Sequence, residues 1–196
     1  MNEYRNQSGD IWVPASELRI SWARSYFDPK YTAVDDQLKG ENIRRLGEIA
    51  EVHRGHLFRL KQHEFGKYLV LNPKNIQKRH IVQTDHDTYT DKGWTPRFHR
   101  SIAQENDIIV TLASKEKKIY HYRKGDPPVV VSHNCAIIRS PNSGYIGHYL
   151  STDDGLALFQ AQVERKSYGS TVPYLSIANL KRISIPILPL EDPNII

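Results

Sequence analysis

Lysine, arginine and histidine side chains gather in the middle of this chain at a spacing suited to a polyanion. Lys74, Lys78, Arg79 and His80 form one group, and Lys92, Arg97, His99 and Arg100 form a second around Trp94. Lys115, Lys117, Lys118, Arg123 and Lys124 form a third, with Tyr120 and Tyr122 interleaved. An ammonium group is a compact charge suited to phosphate, whereas a guanidinium fork engages two acceptors at once. The amides of Asn75 and Gln77 add paired donors and acceptors. Between Lys39 and Lys124 there are 18 Lys and Arg against 10 Asp and Glu, while the rest of the 196 residues carries 9 against 12, so the net charge of +5 is concentrated here. Seven of the nine His lie in the same stretch and add charge as pH falls below about 6.5. Such asymmetry points to a polyanionic partner.

Two other chemistries compete for the same residues. His80, Asp85, His86 and Asp87 offer imidazole and carboxylate ligands, with His53 and His56 a second pair, so a metal-dependent nuclease is the alternative reading. Neither set has a recognised ligand spacing, and no metal ligand is assigned. Asp126-Pro127-Pro128-Val129 invites comparison with the Asp-Pro-Pro-aromatic motif of adenine methyltransferases, but Val129 cannot stack on a base. No Gly-rich nucleotide loop follows an early strand either, so no catalytic residue is assigned and Gly125-Asp126-Pro127-Pro128 reads as a turn. Single-stranded RNA binding would call for aromatics alternating on adjacent strands, which the Tyr120 and Tyr122 pair alone does not supply.

The elements that must position these groups are short strands and a few helices. Strands are expected over residues 68–72, 107–112, 119–122, 129–131, 135–139 and 183–187, and a helix over 155–163, where Leu156, Phe159 and Val163 share one face. A second helix begins near 145–150, and Asp153-Asp154-Gly155 reads as a turn. Residues 46–55 read as a helical turn running into a strand that Gly55 stops. Residues 1–42 form an arm, with a helix over 17–26 capped by Ser16 and a further turn or two over 31–38. Residues 75–101 and 114–124 are long loops, the usual carriers of binding function. The whole is an α+β fold: one globular domain over 43–190 with a mixed, curved β-sheet, long loops and flanking helices. The single Cys135 excludes a disulfide framework and is read as a small buried residue. The N-terminus lacks an apolar signal core and no run approaches the roughly 18 residues of a membrane span, so a soluble, cytoplasmic protein without membrane contact is expected.

Gly169-Ser170-Thr171-Val172-Pro173-Tyr174-Leu175-Ser176, followed by Ile183-Ser184-Ile185-Pro186-Ile187-Leu188-Pro189-Leu190, resembles the end of a target recognition domain in the DNA specificity subunits of type I restriction-modification systems. Leu46-Gly47-Glu48-Ile49, leading to Gly55, resembles its opening, and Asp107-Ile108-Ile109-Val110 its middle strand. Ser132-His133-Asn134-Cys135 and the Tyr149-Leu150 pair stand where the family has a core strand and a helix. The resemblance implies a non-catalytic reader of duplex DNA. It implies as partners an adenine-N6 methyltransferase subunit, which holds the S-adenosylmethionine, and a motor endonuclease subunit; no cofactor is expected in this chain. A second copy or second recognition domain would complete a bipartite site. Residues 191–196 stand where the family's spacer helix would begin. On this reading Arg79, Arg97 and Arg100 read bases, Asn75 and Gln77 pair with adenine, and the lysines hold phosphates. His80 and Trp94 lie against the duplex, and Ser170 and Thr171 offer donors to a phosphate.

Overall fold

The computed structural model describes residues 34, 38, 42–58, 65–77, 80–91, 95–141, 143–150, 152–169 and 171–187. Chain order is β1 (Ile43–Arg45), α1 (Leu46–Ile49), β2 (Glu51–Arg54), β3 (Tyr68–Leu71), a 3-10 turn (Pro73–Asn75), β4 (Ile76–Gln77), β5 (His80–Ile81), β6 (Tyr89–Thr90), α2 (Pro96–Arg100), β7 (Ile108–Thr111), β8 (Ile119–His121), β9 (Val129–Val131), β10 (Cys135–Arg139), α3 (Ser143–Tyr149), α4 (Asp153–Lys166), α5 (Ile177–Lys181) and β11 (Ser184–Pro186). The α+β class holds, with the strands divided among several sheets. An antiparallel sheet runs in the order β2-β10-β7-β8, and a mixed sheet in the order β6-β3-β9, with β3 and β9 parallel.

Period-two alternation explains how these sheets stack. On one face of the four-stranded sheet, Val52, Ile108, Val110, Ala136 and Ile138 pack against Ile146, Phe159, Val163 and Leu180 of the helices. The alternate residues, Ile109, Cys135 and Ile137, meet Leu69, Leu71, Val129 and Val131 of the mixed sheet. The far face of the mixed sheet, Val70 and Val130, is covered by Phe98 of α2. The order is therefore helices, sheet, sheet, α2, and the continuous apolar runs of β7 and β10 follow from burial on both faces. Burial pushes the Cys135 thiol up to about 12, so it packs as a neutral small residue.

The family-like phrases are explained by packing. Leu46 is fully buried and its N–H donates to the Ile183 carbonyl at 2.8 Å, joining the opening phrase to the closing one. At Gly55 a Cβ would stand 2.3 Å from the Ser132 oxygen and 2.4 Å from that of Val131, so only glycine lets β2 cross the end of β9. Gly169 has φ of 101° and starts a loop whose ends, Tyr168 and Tyr174, exchange backbone hydrogen bonds at 3.0 and 2.7 Å.

Two sequence expectations change. Helix α4 begins at Asp153 rather than at Gly155: Thr152 caps the Gly155 N–H at 3.1 Å, and Asp153 and Asp154 sit in the first turn, where the helix dipole favours carboxylates. Residues 75–101 hold β4, β5, β6 and α2, elements too short to show periodicity. The arm helix over 17–26 and the 191–196 stub lie outside the described residues. Within 31–38, Leu38 donates to the Val34 carbonyl at 3.1 Å, a helical bond.

Candidate nucleic-acid interface

One end of the sandwich is built where β2, β3, β7 and β9 finish and β10 begins. The Ser132 N–H donates to the Leu71 carbonyl at 3.0 Å, the Leu112 N–H to that of Asn134 at 2.7 Å, and the Leu175 N–H to that of Leu112 at 2.9 Å. Arg54 therefore stands beside the turn containing His133. Helix α2 reaches the same end because the segment after it runs antiparallel to β9, with the Val131 N–H on the Ser101 carbonyl at 2.8 Å. Thr95 caps α2 by accepting from the Phe98 N–H, and Pro96 fixes its first turn. Arg97 donates to the Gly55 carbonyl at 3.4 Å, and His53 shares a hydrogen bond with the Arg100 carbonyl at 2.8 Å.

Lys115 is exposed on the loop after β7, and Lys118 donates to the Pro73 carbonyl at 3.2 Å. This end thus brings together Arg54, Arg97, Arg100, Lys115, Lys118 and His133. None of these side chains makes an ion pair among the described residues. Burial, then the guanidinium charges of Arg54 and Arg97, lower the pKa of His133; burial, then Arg97, do the same to His56. Arg54, Arg97 and His133, close enough to act on one another's charge and without an ion-paired carboxylate among the described residues, repel one another and favour an incoming anion.

The third sequence group does not stay together. β8 pairs antiparallel with β7, Ile108 opposite His121 and Val110 opposite Ile119. Lys118 therefore lies at one end of the sheet and Arg123 and Lys124 at the other. Tyr120 and Tyr122 are 4% and 8% exposed and belong to the core; they do not interleave with the lysines at the surface. Tyr120 donates to Asp126 at 2.8 Å, Asp126 also accepts the Arg123 N–H at 2.6 Å, and Val129 is fully buried. Asp126-Pro127-Pro128 is thus an internally bonded turn.

Two expected contacts are internal struts. Lys117 is 7% exposed and donates to the carbonyls of Leu112 at 2.8 Å, Ser114 at 3.0 Å and Pro173. Burial lowers its pKa to about 8, which leaves it charged at neutral pH. Its ammonium is spent on the two loops it ties together and has no free face for a phosphate. Asn75 is fully buried and donates to Asp87 at 2.7 Å and to the Val82 carbonyl at 3.1 Å, so pairing with adenine would break both bonds. Gln77 and His80 are exposed opposite each other on β4 and β5, and Thr171 is exposed after the Gly169 turn. Lys78, Arg79, Lys92, Trp94 and Ser170 lie outside the described residues. Sequence reading passed over Arg54 and His133; the signal was their place flanking the Gly55 and Cys135 strand ends.

Asp87, placed in the alternative metal set, is used by the fold. Its carboxylate accepts from Lys74 at 2.8 Å, from Asn75 and from the Thr84 N–H at 2.7 Å. Burial raises its pKa, but the Lys74, Asn75 and Thr84 bonds outweigh this and hold it at about 2. No group of three potential ligands lies together among the described residues. Because the folded pKa lies below the ordinary 3.8, the ionised carboxylate stabilises the fold above about pH 4, by about 2 kcal/mol, and that gain fades as pH falls toward about 2. The melting-temperature gap between wild type and Asp87→Asn should therefore narrow between pH 5 and pH 2 in thermal unfolding.

Residues 39–196 match the family model described as type I restriction modification DNA specificity domain. Among solved structures, one described for complex assembly and conformational transition of the type I R-M system is 13% identical, with a TM-score of 0.53, covering 90% of this chain and 44% of that one. The HsdS subunit from Thermoanaerobacter tengcongensis is 14% identical, TM-score 0.50, covering 90% and 43%. The type I S subunit from M. genitalium is 16% identical, TM-score 0.40, covering 74% and 33%. The chain thus spans less than half the length of each of these solved proteins. No curated protein matches it.

Proposed function

The chain belongs to the type I restriction modification DNA specificity domain family, and from that premise we propose that it reads a short half-site in duplex DNA through the basic end of its sandwich. The observation that carries this reading is the gathering of Arg54, Arg97, Arg100, Lys115 and Lys118 at one end without carboxylate partners among the described residues. Exposed lysines there hold phosphates and the arginine forks of α2 reach base edges, a division of labour that duplex recognition requires. Lys74, Gln77, His80 and Thr171, with Lys78, Arg79, Lys92, Trp94 and Ser170, extend the contact, and Arg123 and Lys124 add charge at the far end. Residues 43–190 are the recognition unit, 1–42 an arm, and 191–196 the approach to a spacer helix.

The domain itself does no covalent chemistry. It delivers sequence specificity to an adenine-N6 methyltransferase subunit, which binds S-adenosylmethionine, and to a motor endonuclease subunit, in the cytoplasm. A second copy or second recognition domain completes a bipartite site. The test is selection from a randomised duplex pool, with and without the methyltransferase subunit and with EDTA in one arm. A short motif should be enriched in EDTA, and Arg97→Ala should narrow the preference for it over random duplex by roughly tenfold, the scale of one bidentate base contact. Cleaved DNA in the metal arm without partner, or no enriched motif, would reject the reading.

A further inference from the structure

Arg54 is held more rigidly than a surface arginine needs to be. Its Nε donates to the His133 carbonyl at 2.6 Å and its guanidinium lies over the Tyr174 ring, 5.5 Å from the centroid. Both contacts orient the plane and leave the two terminal nitrogens as a fixed fork. Tyr174 is itself braced by Tyr168, ring centroids 5.5 Å apart, and by the backbone bridge to Ala113. Near Arg97, His56 is bridged to Ser132 and its buried Nδ1 has no hydrogen-bond partner among the described residues, an uncommon condition for a buried polar atom.

We infer that Arg54 and His133, beside Arg97, form a seat for one phosphodiester group, which sets the register of the duplex against α2; this rests on the reading of the domain as a DNA reader. The fork faces two oxygens of a single phosphate, and the neighbouring imidazole and the Arg97 guanidinium supply further donors. A phosphate fixed here places Arg97 at a constant height along the groove, so a sequence-blind contact supports a sequence-reading one. His133 is lowered in pKa, by burial and then by Arg54 and Arg97; a bound dianion or phosphodiester offsets those two charges and draws a proton back onto the ring.

The experiment is the salt dependence of duplex binding by the full chain for wild type, Arg54→Ala and Arg54→Lys, with target and random duplex. Arg54→Ala should reduce the log-log slope by about one and weaken both duplexes alike, and Arg54→Lys should restore the slope because the charge remains. An unchanged slope in Arg54→Ala, or a loss confined to the target sequence, overturns the seat. Inorganic phosphate titrated against chloride at equal ionic strength provides a second readout: the His133 ring signals in NMR should move in wild type, and a static ring also overturns it. If wild type binds no duplex while His133 still responds to phosphate, the DNA reading fails and the anion seat stands. If duplex binds and Arg54 is indifferent, the seat fails alone.

Discussion

Asp107→Ala is expected to lower the melting temperature by roughly 10 °C or more, reflecting about 3–5 kcal/mol for breaking a buried pair from one side. Asp107 is 1% exposed and accepts from Arg139 at 2.6 and 2.8 Å in a two-point contact. Its second oxygen also accepts the Gln104 N–H at 2.8 Å, closing the turn in which Asn106 adopts φ of 71°. The bond to Asp107 comes first among the causes that raise the Arg139 pKa, and the same guanidinium donates to the Ile102 carbonyl at 3.1 Å. The alanine variant leaves a three-quarters-buried guanidinium without its counter-charge and a turn without its acceptor. Thermal unfolding followed by circular dichroism measures the loss. A shift of one or two degrees would mean that water replaces the carboxylate at no cost. Duplex binding well below the melting point should survive, because Asp107 lies at the start of β7 and the basic end at its finish.

What could be read from the sequence follows the length of each element. Strands β7 and β10 were legible because Ile108 to Val110 and Cys135 to Ile138 are unbroken apolar runs buried on both faces, and α4 because Phe159 and Val163 repeat at helical spacing. The two-residue strands β4, β5 and β6 have no period to detect. Their position is set by tertiary bonds such as that of Asn75 with Asp87, 12 residues away. The candidate site was legible as charge and not as geometry. Sequence neighbours Lys118 and Arg123 are parted by a strand, whereas Arg54 and His133, 79 residues apart, are joined by one hydrogen bond. Only strand pairing decides such relations, and a charge count along the chain cannot contain them.

Lys117 separates the two kinds of lysine most sharply. Sequence reading puts it with Lys115 and Lys118 as a phosphate contact, and if that were its role Lys117→Ala would reduce the salt slope as the others do. The structure instead buries it between the 114–118 loop and Pro173, with three carbonyl oxygens as partners. Lys117→Ala should therefore destabilise the fold by about 3 kcal/mol, since three buried acceptors lose a charged donor, and lower the melting temperature by roughly 6–12 °C. Measured well below that melting point, its salt slope should equal that of wild type. Lys115→Ala, and Lys118→Ala to the extent that its ammonium leaves Pro73, should do the reverse, keeping the melting temperature within a few degrees and lowering the slope by about one each. Lys117→Met keeps the aliphatic volume and removes the charge, so it should share the stability loss of the alanine variant. If Lys117→Ala instead lowers the slope by one with no change in melting temperature, the ammonium faces the duplex and the two loops are held by other bonds.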